Sequence, residues 1–476
     1  MKADRPISRR HFLHTTTGLV LAAGFPGANG ICRGAEKGRP PASSVGPLRA
    51  GAAAVDITPP VGVSLAGSLT GRAATSILDP LHARAVVLES GGTRIAFVLL
   101  DLVAFGNEDA ARARTAAARA ASIPAENICV SCTHTHSAPC TLTIFQSVRE
   151  AAYIETVIQR VGEAVRQAAE RLQPARAAWA NGWEPRPGFN RRYHMKDGTV
   201  KMNPGIGNPN VLRPAGPTDP QIPMLMIETA AGRPLALVAN FSLHYIGDHD
   251  GRAISADYYG VFANLMRERK GQDFVALLTH GASGDVNNVD VSQKPAARPP
   301  GERSREVAGW IADQVEQQWA KAKFEEMLPV AATQGIYKLR VRKLKGAELE
   351  EARLQSENEK IPLVDRLYGK ERLELLKWPD EIPMVIQSLR VGDFAASTFP
   401  GEMFCRHGLD LKRASPFPVT AFIELANGFS GYTPTRVDYD LGGYETWLAR
   451  SAFAAPFTGE EMIALAAMQL RKLWQL

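Results

Sequence analysis

This 476-residue sequence predicts an α/β fold of mixed α+β layers in one large domain. Three observations predict it. Short β-type runs alternate with helical runs from residue 48 onward, which argues for packed layers and against a helical bundle. No repeat, low-complexity tract or internal linker divides residues 48–476. The composition, 45% hydrophobic and 22% charged, is that of a globular chain and excludes disordered, collagen-like and coiled-coil classes.

Taken in order, residues 81–89 and 93–100 read as a β-hairpin, because apolar β-formers flank Gly91-Gly92. Residues 110–121 and 149–172 are helical by composition, and the second run carries apolar residues at helical spacing. A short strand follows at 127–131. Residues 224–228 and 234–241 form a further strand pair, 258–269 a helix, 274–279 a buried strand and 302–321 a helix. The polar run 346–360 reads as a surface helix outside the core. Strands at 384–391 and 394–398 precede an amphipathic helix at 460–473.

The first thirty residues read as an address. Ser8-Arg9-Arg10-His11-Phe12-Leu13 is a twin-arginine pattern, followed by a modestly apolar run over 15–25 and a small-residue cleavage site at Ala28-Asn29-Gly30. The apolar run is too short to span a bilayer. Residues 1–30 are therefore expected to be a twin-arginine signal peptide and 31–47 a Gly/Pro/Ser-rich linker, with periplasmic or secreted localisation in a bacterium. The expected partners then include the twin-arginine export machinery. Lys2, Arg5, Arg9 and Arg10 against Asp4 supply half of the formal charge of +6. No remaining basic run is interleaved with aromatics, so nucleic-acid binding is not expected.

Cys129-x-x-Cys132 lacks the second pair of a zinc ribbon, and on a strand the two side chains point to opposite faces. Buried thiols are expected at Cys129, Cys132, Cys140 and Cys405, with a disulfide allowed in an oxidising compartment.

Histidine carries the chemistry. Thr133-His134-Thr135-His136-Ser137 follows a strand, so two imidazoles at i and i+2 project from one face at its C-terminal end. His244 ends another strand, and His280 opens the Gly-rich turn Gly281-Ala282-Ser283-Gly284-Asp285-Val286-Asn287 after a third. Histidines at separate strand ends suit a catalytic zinc site, which takes about three N/O ligands and keeps a position for water. Glu402 in Phe399-Pro400-Gly401-Glu402 is a candidate carboxylate ligand. On spacing alone, the same acid reads as favourable charge at a helix start.

These blocks, in this order, resemble the catalytic domain of the neutral/alkaline non-lysosomal ceramidases. The resemblance spans nearly all of residues 48–476. It rests on Ala54-Val55-Asp56-Ile57-Thr58-Pro59-Pro60, Asp79-Pro80-Leu81-His82-Ala83-Arg84-Ala85, Leu99-Leu100-Asp101, the Thr-His-Thr-His-Ser loop, Asn190-Arg191, Asn240-Phe241-Ser242-Leu243-His244 with Ser255-Ala256-Asp257, Pro400-Gly401-Glu402, and Asn427-Gly428-Phe429-Ser430-Gly431-Tyr432. It implies one Zn²⁺ per chain held by His134, His244, Glu402 and Tyr432. It also implies hydrolysis of an N-acyl amide bond in a ceramide-like lipid by metal-activated water. Arg191 and Tyr432 would stabilise the developing oxyanion, and His136 would relay a proton or orient a ligand. Asp285 would organise the turn or take part in catalysis, while His280 reads as a satisfied strand-end histidine. The expected partner is a small-molecule or lipid substrate, and the resemblance allows transient contact with a membrane surface.

Two departures stand out. Asn287 occupies the position of the serine in the family's Gly-Asp-Val-Ser turn and offers no hydroxyl. No C-terminal immunoglobulin-like domain is expected after the catalytic domain. Two other readings therefore stay open: a metal-keeping periplasmic binding protein or pseudoenzyme, and a zinc hydrolase of a different amide or ester.

Overall fold

The computed structural model describes residues 45–247, 251–294 and 298–476, so the signal peptide and most of the linker lie outside the described residues. Its centre is an eight-stranded sheet. The strands are β1 (Arg49–Asp56), β2 (His82–Ser90), β3 (Thr93–Leu100), β4 (Ile128–Cys132), β5 (Gln173–Trp183), β6 (Gln221–Thr229), β7 (Pro234–Phe241) and β8 (Val275–His280). Their order is β8-β7-β6-β5-β1-β2-β3-β4. The outer pairs β7–β8 and β3–β4 run parallel, and the remaining pairs are antiparallel.

The β2–β3 hairpin forms where the sequence predicts it. Ser90 pairs with Thr93, and Gly91 and Gly92 both take positive φ (56° and 79°), which a tight two-residue turn of this twist demands. Along β2, Ala83, Ala85 and Val87 face one side while Val86 and Leu88 face the other. Both faces are thus buried, which explains the nearly continuous apolar run.

Four layers result. Helices α1 (Asn107–Ala121) and α2 (Ala151–Glu170) cover one half of the first face, with Ile154, Val157 and Val161 packed on Ala85 and Val87. Helices α3 (Asp257–Lys270) and α4 (Glu302–Trp319) cover the other half. Against the second face lies a four-stranded sheet of β9 (Val330–Arg340), β10 (Glu381–Val391), β11 (Phe394–Thr398) and β13 (Val419–Ile423), in that order. The short β12 (Glu402–Met403) pairs in parallel with β14 (Tyr432–Thr433). Helix α5 (Thr458–Trp474) closes the outer face of the second sheet through Ile463, Ala466 and Leu470. Among the described residues no helix is long and apolar enough to cross a membrane.

Local patterning missed several elements. β1 (Arg-Ala-Gly-Ala-Ala-Ala-Val-Asp) has little intrinsic strand preference, yet it sits mid-sheet because β2 and β5 pair with it from both sides. The last linker residues, Gly46–Pro47, pair with Met327–Leu328. A second helix (Leu363–Glu374) follows the surface helix at Ala347–Glu357. Glu402 does not begin a helix. It lies on β12, and the next helix starts only at Cys405, because the chain first pairs with β14. Cys129, Cys132, Cys140 and Cys405 are buried free thiols, and burial pushes Cys129 up to about 12.

The strand order places the site. β4 and β8 are the two edges of the large sheet, and the sheet curls until they approach each other. Loops leaving the C-terminal ends of β4 and β7 therefore meet, as they do at the functional ends of parallel strands in other open sheets.

Candidate functional site

His134 follows β4 with φ 67°, a left-handed conformation that histidine adopts more readily than most residues. Its backbone N donates to Leu102 O (2.9 Å), and its Nδ1 donates to Val103 O (2.7 Å). A histidine whose Nδ1–H is taken by a carbonyl presents Nε2 as a lone pair, the usual arrangement of a metal-binding imidazole.

His136 reaches the same point by a turn, not by strand alternation. Two acceptors, Ser255 O (2.7 Å) and Asp257 Oδ2 (2.6 Å), stand within reach of the single Thr135 hydroxyl proton at this turn. The His136 imidazole hydrogen-bonds the backbone of Gly67, where φ is +81° and an added Cβ would stand 2.5 Å from the ring. Any side chain at Gly67 would displace His136.

His244 enters from the end of β7. Its Nε2 lies 3.0 Å from His136 Nε2, which lies 3.3 Å from His134 Nε2. The three imidazoles form a cluster that could hold a metal ion. Glu402 completes it, with Oε2 3.3 Å from His134 Nε2 and 3.7 Å from His244 Nδ1. That carboxylate oxygen is buried and has no hydrogen-bond partner. An orphaned carboxylate oxygen facing imidazole nitrogens is a donor set that fits a divalent cation.

Burial first, then the neighbouring imidazoles and Arg191, hold His136 and His244 well below 6.5. Unfolding frees these imidazoles to bind protons near about pH 6.5, while the folded chain keeps them neutral. The stabilisation is therefore fully present above that pH and declines as pH falls below it. Urea unfolding of the metal-free protein should show stability falling from pH about 7 to about 5. A flat profile would contradict neutral imidazoles.

Tyr432 and Tyr444 close the opposite wall. Arg191 is buried beneath them: Nη2 donates to Tyr444 Oη (2.9 Å) and Gly284 O (2.7 Å), Nε donates to Glu445 Oε1 (3.1 Å), and Nη1 lies 3.3 Å from His244 Nδ1. Tyr444 then donates to Tyr432 Oη (2.7 Å). Arg191 thus supports the wall from behind and is not among the residues lining the cavity, whereas Tyr444, which sequence reasoning missed, lines it. Its only signal was a position twelve residues after Tyr432.

Asp285 and Asn287 hold the frame. Asp285 accepts from Asn190 Nδ2 and from the backbone N of Cys405, both at 2.7 Å, and burial raises its carboxyl to about 6. Asn287 donates to Asn203 Oδ1 (3.3 Å) and accepts from Val289 N (3.0 Å). Its backbone bridges to that of His244. Neither side chain lines the cavity. His280 sits behind the cluster, its ring 5.3 Å from that of His134.

The cavity over the cluster measures about 230 Å³. Its floor is polar, formed by His134, His136, His244 and Glu402, with Tyr432 and Tyr444 in the wall beside it. Its other walls include Leu69, Val103, Leu142, Ile144, Phe145 and Phe429. Phe145 is fixed by its backbone N donating to Glu371 Oε1 (2.5 Å), a buried carboxylate that also takes two hydrogen bonds from the Arg450 guanidinium.

Solved structures of ceramidases share this fold. A neutral ceramidase from Pseudomonas aeruginosa superposes with a TM-score of 0.70 at 19% identity, over 90% of this chain and 75% of that one. A ceramidase complexed with C2 superposes with a TM-score of 0.68 at 18% identity, over 90% and 76%. No protein-family model matches the sequence, and no curated protein matches it.

Proposed function

We propose that this chain is a zinc-dependent hydrolase of N-acyl amide bonds, acting on a ceramide-like lipid. One observation carries the proposal: three imidazoles and an unpartnered buried carboxylate oxygen form the floor of a cavity whose other walls are largely apolar. An amide joined to an alkyl chain matches that division of polar and apolar surface. The shared fold with neutral ceramidases supports the same reading.

His134, His244 and Glu402 would hold the ion with Tyr432 beside it, and His136 is close enough to join them. A bound zinc ion supplies Lewis-acid activation of water and carbonyl at neutral pH. The chain's own residues do the rest. Arg191 donates to Tyr444, so the Tyr444 proton goes to Tyr432, and the Tyr432 proton is left to point into the cavity. There it can hydrogen-bond an oxyanion developing on the acyl carbonyl. His136, neutral and 3.0 Å from His244, is placed to take a proton and pass it to the leaving amine.

The test is elemental analysis of the purified protein together with turnover on N-acyl lipids, other amides and esters. About one zinc per chain and release of fatty acid from N-acyl sphingoid bases are expected. Zinc with turnover of another amide or ester alone would replace the substrate class and keep the hydrolase. Zinc without any turnover would favour a binding protein. Asn287 is the feature that favours that second reading, because its amide is spent on Asn203 and Val289 and no hydroxyl stands in its place.

We also propose export through the twin-arginine route to the periplasm, on the strength of Arg9-Arg10 and the apolar run that follows. Replacing both arginines by lysine should leave the precursor in the cytoplasm, as cell fractionation would show. Normal export of the double variant would refute this route.

A further inference from the structure

We infer that Glu424 is a positioning residue for the metal site, a buried carboxyl that locks the segment carrying Glu402 onto the turn that anchors Arg191. The inference rests on the metal reading proposed above.

Glu424 follows β13 and is fully buried. Its Oε2 accepts from Met403 N (2.7 Å), the peptide directly after Glu402. Its Oε1 accepts from Ser283 Oγ (2.9 Å) and Ser283 N (3.3 Å). Gly284 N in turn donates to Met403 O (2.8 Å), and Gly284 O holds Arg191 Nη2 (2.7 Å). One side chain therefore joins β12, of the two-stranded β12–β14 pair, to the turn after β8 of the large sheet. Because Glu402 Oε2 has no partner of its own, the backbone around residues 402–403 sets where that oxygen stands.

The same carboxyl reaches the imidazoles from behind. His280 Nε2 lies 3.1 Å from Glu424 Oε1 and 2.9 Å from Ser283 Oγ, and its Nδ1 is bonded to Tyr259 Oη. Tyr259, His280, Ser283 and Glu424 thus form one buried hydrogen-bonded chain, and its imidazole packs against His134 at 5.3 Å. None of the four lines the cavity, so the chain cannot touch substrate and acts through the groups it holds. A Ser-His-Glu set of this kind would otherwise suggest a nucleophile. Here Ser283 is fully buried, and its hydroxyl proton is directed at Glu424.

The experiment is titration of the metal-free full-length protein with Co²⁺, reading both the dissociation constant and the visible absorption of the bound ion. Glu424→Ala should weaken binding about 10- to 100-fold and shift the spectrum, the size expected when a ligand loses its supporting contact. Glu424→Gln keeps the span and an acceptor for Met403 N, and should stay within about threefold of the parent with its spectrum. Should Glu424→Ala fail to fold, Glu424→Asp replaces it, because a side chain one methylene shorter cannot bridge Met403 and Ser283 together. A folded Glu424→Ala or Glu424→Asp with the parent affinity and spectrum would overturn the inference alone. Equal losses in the Gln and Ala variants would place the effect in the charge and overturn positioning. A parent protein that binds no Co²⁺ would overturn both the inference and the metal reading.

Discussion

Replacing His134 by alanine is expected to weaken metal binding by more than about 100-fold and to abolish amide hydrolysis, because an inner ligand contributes more than the supporting contacts worth 10- to 100-fold. The variant needs a partner, since His134 stands at φ 67°. Alanine in that left-handed conformation costs about 1–2 kcal/mol by itself, so His134→Ala confounds lost ligation with strain. Asparagine tolerates the conformation and lacks the imidazole, so His134→Asn separates the two effects. Both variants should lose the metal, whereas only His134→Ala should lose appreciable thermal stability in the metal-free state. His244→Ala should lose the metal too, because His244 brings the second strand end to the cluster. Full zinc occupancy of these variants by elemental analysis would refute the site.

Tyr444→Phe is expected to lower kcat about 100-fold with zinc content unchanged, the magnitude typical of one well-aimed donor. Tyr444 links Arg191 to Tyr432, and its own hydroxyl proton goes to Tyr432. Without that hydroxyl the Tyr432 proton is free to turn away from the cavity, and Arg191 loses one acceptor. Arg191 still holds Glu445 and Gly284 O, so the fold should change by only about 1 kcal/mol. KM should move little, because the interaction is strengthened chiefly as charge develops on the carbonyl. Unchanged kcat with zinc bound would remove the tyrosine pair from the reaction, and a loss of zinc would make Tyr444 a support of the metal instead.

The sequence by itself determined the layered α/β class, the Gly91-Gly92 hairpin, most helices and the placement of histidines at strand ends. Local forces set all of these: turn stereochemistry, apolar periodicity and strand length act within about ten residues. β1 escaped because an Ala-rich octapeptide states no preference until partners pair with it on both sides. Glu402 reads as a helix-start acid because Pro-Gly precedes it, and only pairing with Tyr432 shows it to be a strand residue. Tertiary structure alone decided which histidines meet. The curl of an eight-stranded sheet brings the ends of β4 and β7 together, and no window of sequence contains both strands. It also moved Arg191 behind the tyrosine wall, put Tyr444 into that wall, and turned Asn287 and Asp285 into the frame. Whether a side chain faces a cavity or supports it from behind depends on small rotations of the elements that carry it. Long-range packing sets those rotations, and residue identity leaves them open.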